Sequence, residues 1–331
     1  MPAFCLILAI AKKYSVELVL LILIAIFGIA RPTTFLKITN FSTILRQSSI
    51  TGIMSLGLMI VMVSGGLNLA VGSMVSLVTV VNAVLLTWVG MHWVPTFLIS
   101  MVMCIFIGWL TGVIIVKTKI WPMIGSLAMQ TILSGIAYIT CKGKPIYGLP
   151  DESKYFGLGK IPIGGFDLPV PVIILVVVAI LVAIFMNKTY IGRQIYVTGS
   201  NEEAARLSGI KTEKIKILTY VICGFLCGIA GIVMTGRVSS GQPAAGNGMD
   251  MTCLTAVVIG GVSMTGGEGK TLKALFGVMI ISVLSNGLTI MNVGEYQKMI
   301  VEGLIFLFAV CFDSMQNIMA AKKKAKVQAA G

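Results

Sequence analysis

The chain has 331 residues, of which 57% are apolar and only 11% are Asp, Glu, Lys or Arg. Soluble domains carry roughly 25% charged residues, so this composition excludes an ordinary aqueous surface. The formal net charge of +13 does not point to nucleic acid either, because the cations flank apolar runs and form no basic face with interleaved aromatics.

Taken in chain order, residues 1–10 are apolar but precede Lys12 and Lys13, the reverse of a signal peptide's order. Uncharged stretches then run over 18–30, 47–116, 120–141, 168–187, 217–236, 251–267 and 274–294, with a last apolar run after Glu302. A membrane core of about 30 Å takes about 20 helical residues. The stretch 47–116 therefore holds three crossings, broken at Ser64-Gly65-Gly66-Leu67-Asn68 and at Gly90-Met91-His92-Trp93-Val94-Pro95. The sum is ten predicted spans in an all-α polytopic membrane protein with broken or re-entrant segments. Barrel strands would alternate with period two, and these runs do not.

Sidedness follows from the basic residues. With the N-terminus inside, the inner segments collect Lys12, Lys13, Lys117, Lys119, Lys188, Arg193, Arg206, Lys211, Lys214, Lys216, Lys270, Lys273, Lys322, Lys323, Lys324 and Lys326. The outer ones hold Arg31, Lys37, Lys142, Lys144, Lys154, Lys160 and Arg237. Both termini are expected in the cytoplasm. Residues 1–331 read as one transmembrane permease domain with an outer loop over 142–169, an inner charged loop over 188–216 and a basic tail over 313–331.

Polar side chains inside spans face either a cavity or a partner helix. Gln47, Ser48, Ser49, Asn68, Asn82, Gln130 and Asn286 are the candidates, with interhelical bonding as the alternative for each. The set is neutral and rich in amides and hydroxyls, which suits an uncharged polyhydroxylated substrate. The nearest acids to a span, Glu295 and Glu302, lie in the last one, and Lys298 can neutralise Glu302 four residues away.

Gly224, Gly228 and Gly231 supply a small helical face for close packing. The cysteines form no CxxC pair. Cys223 and Cys227 share a face, but no His or carboxylate joins them, so no metal is expected. The segments 64–73 and 259–268 resemble each other at an offset of 195 residues, a pattern compatible with an internal repeat.

Gly266-Gly267-Glu268-Gly269-Lys270-Thr271 looks like the end of a phosphate-binding loop, but Met264 stands where its first glycine belongs and the stretch links two spans. The chain is expected to bind no cofactor and no ATP. In the inner loop, 199–210 reads as a short helix. Ser200 or Asn201 caps it, Glu202 and Glu203 complement its dipole, Gly209 ends it, and Ala204, Ala205 and Ser208 form a slim face.

Several of these stretches resemble the permeases of bacterial ribose-type ABC importers, the branch that also serves galactose and xylose. They are Ile44-Leu45-Arg46-Gln47 with Gly52-Ile53-Met54, the segment 64–73, the segment 199–216, Ser239-Ser240-Gly241-Gln242-Pro243 with Ala245-Gly246, and 256–269. The likeness runs from about Thr34 to Asp313. It implies that 199–210 is a coupling helix docking on a cytoplasmic ATPase that uses the ATP, with Asn201, Glu203, Ala204, Ala205 and Gly209 in that role. It also implies an external sugar-binding protein, a second permease copy (identical or a paralogue), and a site in the bacterial inner membrane. Where the family usually reads Gly-Ile-Asp-Leu-Ser-Val-Gly, this chain has Gly66-Leu67-Asn68-Leu69-Ala70-Val71-Gly72, so an acid has become an amide. The rival readings are an ATP-independent secondary transporter and a membrane-embedded enzyme, for which lone His92 beside Trp93 offers no acid/base set.

Overall fold

The computed structural model describes residues 15–163 and 166–311; the basic tail lies outside them. The described chain is almost wholly helical. It contains α1 (Ser15–Ala30), α2 (Pro32–Phe35), α3 (Ile38–Val63), α4 (Val71–Ala83, continued by a π-helical turn, Val84–Trp88), α5 (Trp93–Thr118), α6 (Pro122–Thr140) and α7 (Asp151–Leu158). A hairpin of β1 (Lys160–Ile163) and β2 (Phe166–Pro169) follows, with Lys160 opposite Pro169. Then come α8 (Val170–Lys188), α9 (Tyr190–Ser200), α10 (Glu202–Leu207), α11 (Thr212–Val238), α12 (Met249–Ile259) and α13 (Thr271–Ile290), and a helix α14 over 295–311.

Seven of these are long and apolar enough to cross a membrane: α3, α4 with its π-helical turn, α5, α6, α8, α11 and α13. The helices stop at Val63 and Trp88, where the glycine clusters interrupt the apolar run. The stretch 251–267 does not form the crossing helix expected of it. Only Met249–Ile259 is helical there, 11 residues and so about 16 Å, because Gly260 and Gly261 end it in a glycine cap.

That cap is the same one that ends α3. Gly65 (φ 80°) donates to Met62 O and Gly66 to Val61 O, while Gly261 (φ 76°) donates to Val258 O and Val262 to Val257 O. Both are Schellman turns, in which glycine takes the left-handed position. The geometry thus pairs Gly65 with Gly261, one residue out of the register that glycine identity suggests.

α11 is the central helix. Glycine allows α3 and α5 to reach its backbone: a methyl on Gly108 would overlap the Tyr220 carbonyl, one on Gly224 the Cys104 carbonyl, and one on Gly57 would lie 3.2 Å from Cys223 Cα. The small face expected at Gly224, Gly228 and Gly231 is real, with Met101 over Gly228 and Val78 over Gly231. Cys104, Cys223, Cys227 and Cys253 are all buried in this packing. Among the described residues, no three His, Cys, Asp or Glu side chains lie together as metal ligands would.

The connecting segments sort to two ends. Lys117 meets Glu213 at 2.8 Å and Ser64 meets Thr219 at 3.2 Å at the α10 end. At the hairpin end Ile146 bridges Gly241, and Gly157 of α7 packs against Gly236. Lys298 pairs with Glu295 at 2.7 Å, not with Glu302 as the sequence spacing suggests, because the helical neighbour one turn earlier is within reach.

Candidate functional site

Thr189 opens α9 by accepting from Gly192 N at 3.0 Å, and Asn201 opens α10 by accepting from Ala204 N at 3.0 Å. Asn201 is therefore the cap, while Ser200 Oγ turns back to the Tyr196 carbonyl. Gly209 ends α10 at φ 83°. Lys216 pairs with Glu202 and ties α10 to the root of α11. Ala205 is buried against the chain, so the outward surface of α10 consists of Glu202, Glu203, Ala204, Arg206 and Leu207. Leu207 is 82% exposed, an apolar side chain at the tip that no motif in the sequence singles out.

Behind α10, Gly199 sits against Val63 and Gly267. A methyl there would overlap the Val63 carbonyl and reach within 2.6 Å of Gly267 N. Gly267 itself donates to Val63 O at 2.9 Å, and Tyr196 Oη donates to Gly269 O at 2.7 Å. Burial pushes the Tyr196 phenol above its ordinary pKa, so it stays a donor. The two glycine caps and the entry to α10 thus form one junction. The glycines that imitate a phosphate-binding loop belong to it: both Gly266 (φ 92°) and Gly267 (φ 77°) are left-handed, and Gly266 lies against Gly65.

The second notable region lies deeper. Segment 239–248 runs back along α4 as non-helical chain: Gly241 packs on Ala83, Gln242 and Thr79 exchange bonds of 2.9 and 3.3 Å, and Gly246 N donates to Ser76 Oγ at 2.8 Å. Gly246 then meets Gly72. Asn82 bonds Thr235, three residues short of the α11 end, and Gly72 is ten residues further along α4, about 15 Å deeper. Helix α12 needs its full length to reach the junction at the other end. Its start therefore lies near mid-depth.

Asp250 stands at that start, 4% exposed, with Gln130 Nε2 at 3.4 Å as its hydrogen-bond partner. A first-turn acid stabilises a helix by only about 0.3–1 kcal/mol, whereas burying an ion without a counter-charge costs several kcal/mol. Helix stabilisation alone does not account for it. The apolar run begins at residue 251, so the sequence alone places no intramembrane acid outside the last span. The overlooked signal is the absence of charge between Arg237 and Asp250, which an aqueous loop of that length would rarely show.

The sequence candidates for a pathway scatter. Ser48 and Ser49 both bond Leu45 O within their own helix. Asn68 is fully buried, donating to Cys223 Sγ at 3.5 Å and accepting from Ala70 N at 3.1 Å. Asn82 is equally buried and joins Thr235 on α11 to Ser100 on α5. Gln47 is half-buried on α3, and Asn286 on α13 has a buried Oδ1 with no partner. Gln130 alone of the set meets Asp250. A groove of about 580 Å³ between α8 and α11 is lined by Ile60, Val178, Leu181, Phe185, Phe225 and Ile229; this apolar cleft offers nothing to bind a polar solute.

At the hairpin end, α7 lies over the α11 terminus. Lys154 pairs with Asp151 at 2.7 Å, and His92 lies 3.7 Å from Glu152. The Lys154 hydrogen bond and charge hold the Asp151 carboxyl below its ordinary range.

A bundle of membrane-length helices, with one short capped helix projecting at one end and a non-helical segment folded into its middle, is the build of a transport permease. Residues 40–310 match the family described as "Branched-chain amino acid transport system / permease component", and the chain belongs to that family. It is 36% identical over 302 residues to the ribose import permease protein RbsC of Escherichia coli K12, covering 90% of this chain and 92% of the relative. It is 34% identical over 310 residues to RbsC of Bacillus subtilis 168 (93% and 94%), and 32% identical over 297 residues to the L-arabinose transport system permease protein AraH of E. coli K12 (88% and 89%). No solved structure gives a significant match.

Proposed function

We propose that this chain is the membrane-spanning subunit of an ATP-driven importer of a monosaccharide, set in the bacterial cytoplasmic membrane. The observation that carries the reading is α10. It is a capped helix with Glu203, Ala204 and Leu207 turned outward, and it is joined through Gly199 to both helix breaks. A cytoplasmic ATPase seats on it and hydrolyses the ATP, and this chain supplies no ATPase site. An external binding protein delivers the sugar at the hairpin end, and two permease copies, one α10 for each ATPase, enclose the path.

In this reading the α10 end is cytoplasmic. The chain crosses ten times with both termini inside when α1, α14 and the broken α12 segment are counted with the seven long helices. The relatives named for ribose and arabinose support a pentose or a similar sugar as substrate.

The test is co-purification and uptake. The tagged chain should bring down an ATPase, and uptake of labelled ribose, arabinose or galactose should stop on ATP depletion and persist when the proton gradient is collapsed. Recovery alone, with uptake that follows the proton gradient, rejects the proposal in favour of a secondary transporter.

A further inference from the structure

We propose that Asp250, Gln130 and Asn247 form a hydroxyl-binding station for the transported polyol, halfway through the membrane, on a water-filled path bordered by α6 and the start of α12. The inference rests on the sugar reading above for its ligand but not for its geometry.

The geometry begins with backbone. Ala244, Asn247 and Gly248 are exposed and non-helical, and Met251 at the head of α12 is 44% exposed. All of them lie at the depth of Gly72, far from either end. Hydrocarbon cannot satisfy free peptide groups, so irregular backbone at that depth is tolerated only where protein covers it or where it borders water. Lipid is excluded as the neighbour of this face.

The side chains select water over a protein cover. Asp250 has its only close hydrogen-bond partner among the described residues in Gln130, at a long 3.4 Å, and it enters no ion pair among them. Such a carboxylate needs donors. The α12 N-terminus carries no side-chain cap at Gly248; Met249 N donates to Gly246 O, and the N–H groups of Asp250 and Met251 that follow need acceptors.

A polyhydroxylated solute supplies both, since each hydroxyl donates one bond and accepts others. The negative carboxylate and the positive end of the helix dipole offset each other, so the station favours a neutral molecule over an anion or a cation.

The experiment uses the assembled transporter with two readouts. In a background with Cys5 and Cys311 replaced by Ser, Asn247→Cys should react with a membrane-impermeant methanethiosulfonate reagent, and the transported sugar should slow that reaction. A thiol introduced by Asn247→Cys that stays unreactive at rest and during ATP hydrolysis overturns the water path and shows the face covered by a second copy or another chain.

In parallel, Asp250→Ala and Asp250→Asn are compared for uptake of ribose, arabinose and galactose, with L-leucine as the zwitterionic competitor and the yield of the co-purified complex as the folding control. Loss of a hydrogen bond to a charged group predicts a fall in uptake of about tenfold or more in Asp250→Ala. A change in the ratio between sugars is expected in Asp250→Asn, with the assembled complex recovered in normal yield for both variants. Unchanged uptake and ratios overturn the station. Wild-type uptake of leucine and of no sugar would instead reject the sugar reading, which keeps the two failures distinguishable.

Discussion

Gly267 donates its backbone N–H to the carbonyl of Val63 at 2.9 Å, and this bond joins the two interrupted helices of the bundle directly behind the proposed ATPase-docking helix. Gly199 fills the remaining space, with no room for a side chain. Any displacement of α10 is passed to both breaks together.

Gly199→Ala should therefore act on coupling. Overpacking of this kind costs about 1–3 kcal/mol, which in a chain of this size lowers the melting midpoint by roughly 2–4 °C per kcal/mol. The expected outcome is a modest loss in detergent thermostability with a larger loss of sugar moved per ATP hydrolysed. A variant that transports with normal stoichiometry would show that the junction does not relay motion.

Glu203→Lys should abolish co-purification of the ATPase while leaving the bundle folded, since the side chain is exposed and outside the spans. Leu207→Asp should weaken the same association, because its apolar surface has no cover in the isolated chain. Both are read by pull-down at equal expression. Retention of the ATPase by both variants would remove α10 from the docking surface.

Asn82→Ala separates a packing amide from a pathway amide. The side chain bridges Thr235 and Ser100, and interhelical bonds of this type contribute about 0.6 kcal/mol, at most about 1.7. The expected result is a lowered thermal midpoint with an unaltered ratio of ribose to arabinose uptake. A shifted ratio would return Asn82 to the pathway.

Asn68→Asp, which restores the acid usual in the resembled family, should destabilise this chain. The new carboxylate keeps the bond from Ala70 N but loses the donor to Cys223 Sγ in a fully buried site, at a cost of about 1–3 kcal/mol. Adding Cys223→Ser provides a hydroxyl donor and should recover much of that loss, and a double-mutant cycle measures the coupling. Additive effects would mean that the two positions are independent.

Much of the architecture was legible because membrane physics writes itself into long apolar runs. The breaks at 64–68 and 90–95, a cap at Ser200 or Asn201 and the Gly224 face could be read from local chemistry alone. Where legibility ended, a second element decided the outcome. Whether Asn68 and Asn82 face a cavity or a neighbour depends on Cys223, Thr235 and Ser100, all remote in sequence. Ala205 belongs to a slim helical face by pattern, yet the chain itself covers Ala205 and leaves Ala204 and Ser208 exposed. Asp250 was hidden at the edge of an apolar run, where the uncharged stretch from Arg237 to Asp250 is the one local sign that 239–248 folds inward. Lys298 had two carboxylates at helical spacing, and periodicity does not rank i−3 against i+4.

The contacts of Gly57, Gly108 and Gly224 with α11 and its neighbours leave α3, α5 and α11 backbone to backbone, with no layer of side chains between them to act as a bearing. Three rods locked in this way cannot slide or rotate past one another without opening a gap as wide as a residue. They form the stator of the machine. Conformational change must then be carried by pieces outside them: α9 and α10, and the sparsely buried α6 and α8. Spin-label distances within α3, α5 and α11 should stay constant through the ATP cycle while those from α12 to α6 change.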